Sequence, residues 1–120
     1  MGYWNEDLFG NDYTMDFIDG NSLLLKKAIE KDPNEPSNYY SAAIFVRGVA
    51  YMADVVGTDV PITVIELAKT FNDNVDSALN YCYPGFVDVL AREKRAIQWF
   101  LASDKGLIAL KEFNNFLESN

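Results

Sequence analysis

Three aspartates, Asp12, Asp16 and Asp19, recur at i, i+4 and i+7, a spacing that sets all three on one face of a helix. Converging carboxylates of this kind would hold Mg²⁺ or Ca²⁺ through oxygen ligands. The spacing lacks the alternating pattern of a calcium hand, however, and no second carboxylate pair flanks it. A solvated acidic face that also caps the helix is the expected role. Asn72-Asp73-Asn74-x-Asp76 resembles the start of a calcium loop, but it has no glycine at the sixth position and no glutamate at the twelfth, where Tyr83 stands. Cys82, between Tyr81 and Tyr83, has no histidine anywhere in the chain to lower its pKa, so a free structural thiol is expected. Phosphate-cradling glycine loops are missing too. The expectation is a chain without catalytic residues, metal or cofactor: not an enzyme.

Composition narrows the field further. The chain has 120 residues, 49% of them hydrophobic, with one cysteine and no histidine. Ser-His-Asp, Cys-His and histidine-metal chemistries are therefore excluded. One cysteine forms no internal disulfide, which favours a reducing compartment, the cytoplasm. Eighteen acids against ten bases give a net charge of −8. That balance argues against a nucleic-acid binder and against attraction to anionic lipid. Met1 to Gly10 lacks the basic region and apolar run of a secretory signal. Tyr39 to Val56 is eighteen residues long but holds Arg47 and Asp54, so it suits a buried helix better than a membrane span.

The elements that must position any site follow from punctuation and periodicity. A short helix is expected over Asp12–Ile18, stopped by Asp19-Gly20-Asn21, then a second over Leu23–Lys31 capped by Ser22. Asp32-Pro33-Asn34-Glu35-Pro36 is a strong breaker. Ser37 is expected to cap the longest helix, which runs to about Val56. Its apolar positions Tyr40, Ala43, Ile44, Val49, Tyr51, Met52 and Val55 span a wide face, with Arg47 the exception, so a central helix is expected, with Gly57 as C-cap. Ile62-Thr63-Val64-Ile65 is β-branched, yet Pro61 before it, at the first helical position, and Glu66-Leu67-Ala68-Lys69 after it favour helix. A separate short helix is expected from Asn72 to Asn80, then a loop over Tyr81–Gly85. A long helix over Phe86–Ala102 follows, with Val87, Leu90, Ala91, Ile97, Phe100 and Leu101 facing inward. Leu107, Leu110, Phe113, Phe116 and Leu117 mark a last amphipathic helix after the break at Asp104-Lys105-Gly106. No strand pair with a hairpin turn appears. The expected fold is all-α: a single domain over residues 1–120, a compact bundle of about five to seven helices carrying an extended N-terminal segment.

Charge is unevenly spread. Residues 1–35 hold eight acids and three lysines, residues 36–90 six acids and two bases, and residues 91–120 four acids and five bases. An acidic surface interspersed with Tyr39, Tyr40, Tyr81 and Tyr83 suits recognition of a basic protein. Charge would speed encounter, and tyrosine would give contact area at low entropic cost. The candidate contact residues are Asp54, Asp59, Asp73, Asp76, Tyr81 and Tyr83.

The N-terminal pattern Trp4-x-x-x-x-Phe9-x-Asn11-Asp12-x-x-x-Asp16-Phe17 resembles the opening of a family of small bacterial domains of unknown function, often found among toxin-immunity proteins. The end of the chain, Ala91 to Phe113, is similar to that family's closing helices. Asn5-Glu6-Asp7-Leu8 stands where the family usually has a glycine-rich turn. Structurally, Asn11 or Asp12 would cap the first helix, Asp16 would tie down the N-terminal segment, and Trp4, Phe9 and Phe17 would anchor it. The resemblance implies an immunity protein that binds and neutralises a cognate basic toxin domain, a nuclease of the contact-dependent growth inhibition type, by blocking its substrate groove. A carboxylate or metal-dependent enzyme and a DNA-mimic inhibitor are the alternative readings.

Overall fold

The computed structural model describes residues 12–102. These form four α-helices: α1 (Asp12–Lys31), α2 (Pro36–Val56), α3 (Ile62–Leu79) and α4 (Pro84–Ala102). The fold is all-α, with four helices in this span, because segments expected to be separate are joined. Trp4, Phe9, Asn11 and the helix expected over 107–117 lie outside the described residues.

α1 runs straight through Asp19-Gly20-Asn21. Ile18, Ser22 and Ile29 are buried on both sides of the expected stop, so one continuous buried stripe outweighs the weak helical preference of these three residues. Asn21 Nδ2 donates to the Phe17 carbonyl four residues back at 2.8 Å, which keeps its amide inside the helix. Ser22 is consequently a buried mid-helix residue and not a cap. Asp12, where the described residues begin, is likewise already helical. α3 is continuous for the same reason: Phe71 and Val75 are fully buried around Asn72 and Asp73, and Asn74 Nδ2 donates to the Thr70 carbonyl at 2.8 Å.

The ends shift by one or two residues from expectation. Glu35, not Ser37, is the N-cap of α2, its carboxylate accepting from the Ser37 amide at 3.3 Å and the Ser37 hydroxyl at 2.9 Å. Pro36 takes the first helical position, where its fixed φ fits and its missing N–H is not needed. Pro61 sits one residue before α3 and accepts from the Val64 amide at 3.0 Å. α4 begins at Pro84, so the α3–α4 connection is shorter than read. Gly57 ends α2 as expected, at φ +83°, where a side chain is strained.

Gly20, inside α1, and Gly57, just after α2, give opposite expectations. A Cβ at Gly20 meets nothing within 4 Å, so Gly20→Ala should raise stability by roughly 0.5–1 kcal/mol. Gly57→Ala meets no clash either but keeps the left-handed φ, and should lower stability by about 1 kcal/mol. Urea midpoints moving in opposite directions check both; a shared direction refutes the assignment of Gly20 to a helix interior.

Short connections make neighbours antiparallel, and α3 touches all three other helices whereas α1 and α4 do not touch each other. The core lies along α3 and the inner face of α2. It includes Tyr39, Ala42, Val46, Ala50 and Ala53 of α2 with Val64, Leu67, Ala68, Phe71, Val75 and Ala78 of α3. Of the apolar α2 positions that span its wide face, Ala43 and Val49 are buried, but Ile44, Tyr51, Met52 and Val55 are exposed and Tyr40 is half-buried. α4 contributes Leu90, Ile97 and Phe100, as expected, while Val87, Ala91 and Leu101 are half-buried. No helix among the described residues is long and apolar enough to cross a membrane.

Candidate partner-binding surface

The α1–α2 and α3–α4 connections meet at one end of the helices. Tyr39, fully buried in the first turn of α2, ties the first of them to α3: its hydroxyl donates to the Pro33 carbonyl at 2.6 Å, with the Asn74 carbonyl of α3 3.0 Å away. Asn38 Nδ2 steadies the same turn through the carbonyls of Ala28 and Asp32. Desolvation pushes the Tyr39 phenol up to about 12, and the nearby Asp32 charge adds to that rise. The sequence placed Tyr39 on the recognition surface; burial makes it a strut beneath that surface.

A cleft of about 410 Å³ opens beside this strut, lined by Glu35, Pro36, Ser37, Tyr40, Tyr81, Cys82, Tyr83 and Phe86. Its rings are mutually packed. Tyr40 and Tyr83 lie 6.0 and 6.4 Å from Phe86 at tilted angles, and the Tyr40 hydroxyl donates to the Phe86 carbonyl at 3.3 Å. Tyr81 and Tyr83 remain well exposed. Cys82 is half-buried, and burial, with Glu35 adding to it, pushes its thiol above the ordinary value. A thiol held protonated is a poor nucleophile, in keeping with a structural role.

Asp73 and Asp76 occupy the last two turns of α3, at the same end as Asp32 and Glu35. Lys94 reaches Asp76 at 2.7 Å, and Lys31 closes α1 nearby. Four of the six candidate contact residues, Asp73, Asp76, Tyr81 and Tyr83, are thus gathered at one end. Asp54 and Asp59 are not: they sit at the finish of α2 and in the α2–α3 connection. Fourteen residues of helix, roughly 21 Å, separate Asp54 from Tyr40.

The cleft runs into a groove of about 670 Å³ along the outside of α2 and α4, with which it shares Tyr40 and Phe86. Ala43, Ile44, Arg47, Gly48 and Tyr51 of α2 and Val89 and Glu93 of α4 complete it. Arg47, the charge that seemed out of place on an apolar helix, places Nη1 3.0 Å from both carboxylate oxygens of Glu93. Beyond Ile44 and Gly48 a smaller, almost wholly apolar depression lies between α2 and α1, where Phe17 meets Met52. Phe17 is more than half exposed there.

The acidic face of α1 does not converge. Asp12 and Asp16 are exposed, whereas Asp19 accepts a 2.6 Å hydrogen bond from the Thr63 hydroxyl of α3. Among the described residues, no three acidic or cysteine side chains are grouped to hold a metal ion. Sequence reasoning missed Glu35 and Phe86 as members of the cleft. The Glu35-Pro36 dipeptide carried the signal, since proline at a first helical turn marks the residue before it as the cap. Comparison with protein-family models, with curated proteins and with solved structures finds no match to this chain.

Proposed function

We propose that this chain is an immunity protein whose acidic, tyrosine-lined end binds and neutralises a basic toxin domain in the cytoplasm. One observation carries the reading: exposed Tyr81 and Tyr83 flank a ready-made cleft, and Asp32, Glu35, Asp73 and Asp76 stand at the same end. Rings already packed on Phe86 lose little freedom on binding, so tyrosine contacts there would be inexpensive in entropy. The surrounding carboxylates would attract a cationic surface over a Debye length and compete with substrate phosphates for it. The net charge of −8 and the resemblance of the N-terminal motif to immunity-associated domains support the same reading.

The test is co-expression with the adjacent reading frame of the source genome. The neighbour should be toxic alone and harmless with this chain. With the purified pair, Asp73→Lys combined with Tyr83→Ala should slow association at least tenfold at low salt, and added salt should slow the unaltered pair likewise. Glu66→Lys, on the exposed middle of α3, should change the rate less than twofold. A harmless neighbour, or a complex indifferent to both salt and the double change, would sink the proposal.

A further inference from the structure

Among the described residues, α2 leaves an apolar stripe uncovered. Ile44, Tyr51 and Val55, exposed at 74, 60 and 71%, recur with Gly48 at i, i+4, i+7 and i+11, one seam along the helix. The groove toward α4 flanks this seam on one side and the depression toward α1 on the other; both share Ile44 and Gly48. Phe86 and Val89 add exposed apolar surface on the α4 side, Phe17 and Met52 on the α1 side. Together these side chains present on the order of 700 Å², close to the roughly 800 Å² per partner that a stable dimer buries. Arg47 and Glu93, the charged groups lining the two hollows among the described residues, already pair at 3.0 Å. A continuous apolar patch of this size, poor in unpaired charge, marks a docking face.

We propose that the occupant is a second copy of this chain, its α2 packed antiparallel on the first about a two-fold axis near Gly48. Such an interface requires a surface that complements itself, so that each residue meets its counterpart in both directions. The seam has that property. Tyr40 and Val55 form its ends, Ile44 and Tyr51 come four residues in from each, and Arg47 and Gly48 share the middle. Antiparallel pairing sets Ile44 of each copy against Tyr51 of the other, and Tyr40 against Val55. Glycine weakens a helix interior, and nothing lies within 4 Å of a Cβ at Gly48. Bare backbone in the middle of an exposed seam lets a second helix approach closely, its Ile44 ridge entering the hollows that flank the first. Tyr40 to Val55 spans fifteen residue steps, roughly 22 Å, so antiparallel pairing sends the two tyrosine-lined clefts to opposite ends of the dimer. A parallel pair would crowd both clefts and their carboxylates within a Debye length.

Sedimentation equilibrium of the full chain at about 100 μM should give twice the 13.6 kDa of one copy. Ile44→Asp and Gly48→Phe should each raise the dimer dissociation constant at least tenfold. Far-UV circular dichroism should stay unchanged, since both positions face open space within one copy. Ile62→Asp, also exposed but outside both hollows, should change the constant by less than about twofold. Cysteines in a Cys82→Ser background fix the register. Ile44→Cys mixed with Tyr51→Cys should oxidise to a mixed covalent dimer. Either variant alone should not, because its two cysteines are offset by roughly 10 Å along the helices, beyond disulfide reach. A chain that stays monomeric, its face covered by the rest of its own length or kept for another protein, overturns the proposal. So does a dimer indifferent to Ile44→Asp and Gly48→Phe, or same-site disulfides as abundant as mixed ones. No toxin enters these measurements: a monomer would leave the immunity reading standing, and a harmless neighbour would leave the dimer standing.

Discussion

Phe71→Ala should remove about 3–5 kcal/mol of folding stability, a large share of the total for a domain of this size. The ring is fully buried on α3, which like α2 contacts all three other helices, and it meets Tyr39 edge-on at 5.4 Å. Truncation would remove dispersion contacts with helices on more than one side and leave a cavity that no single element can close. Ile62→Ala, on the same helix but 64% exposed, should stay within about 0.5 kcal/mol. Urea unfolding followed by far-UV circular dichroism measures both. A loss below about 1.5 kcal/mol for Phe71→Ala would mean that α3 is not the hub of the core.

Helical class was legible in the sequence because proline and glycine punctuate the chain at Pro36, Gly57, Pro61 and Pro84, each within a residue of a helix end. Continuity was harder to read. Gly20 and Asn72 disfavour helix by at most about 1 kcal/mol each, and burial of Ile18 with Ile29, or Phe71 with Val75, outweighs that. Local preference saw the first term and not the second. The orientation of α2 was hidden for a different reason. Apolar residues surround most of this helix, so periodicity offers several faces. Packing selects Ala42, Val46, Ala50 and Ala53 because small side chains let α2 approach α3, and this turns the larger Ile44, Tyr51 and Val55 outward. The bulky residues that looked most like core became the candidate docking face.

The same logic divides the site. Tyr81 and Tyr83 follow the last turn of α3 in a short polar connection, where exposure can be read from position alone. Glu35, Tyr40 and Phe86 join them only because the starts of α2 and α4 come together, as the hydrogen bond between Tyr40 and Phe86, forty-six residues apart along the chain, records. No local pattern encodes that meeting.

Tyr39, which holds the α1–α2 connection against α3 beneath the cleft, makes that packing measurable. Its phenol is neutral when protonated, and in the unfolded chain it releases its proton near pH 10, whereas the folded protein holds it to about 12. Between those values the unfolded state binds fewer protons than the folded one, so stability must fall as pH rises. The contribution is complete below pH 10 and is lost progressively up to about pH 12, for a total of roughly 2–3 kcal/mol. Tyr39→Phe should be about 1–2 kcal/mol less stable at pH 8, because the Pro33 and Asn74 carbonyls lose their buried donor. It should also lack this alkaline loss, so the two stability curves converge and cross between pH 10 and 12. Urea unfolding at intervals from pH 8 to 12 reads the crossing directly. Parallel curves would show that the hydroxyl is solvated, and with it that Tyr39 does not hold the α1–α2 connection against α3 beneath the cleft.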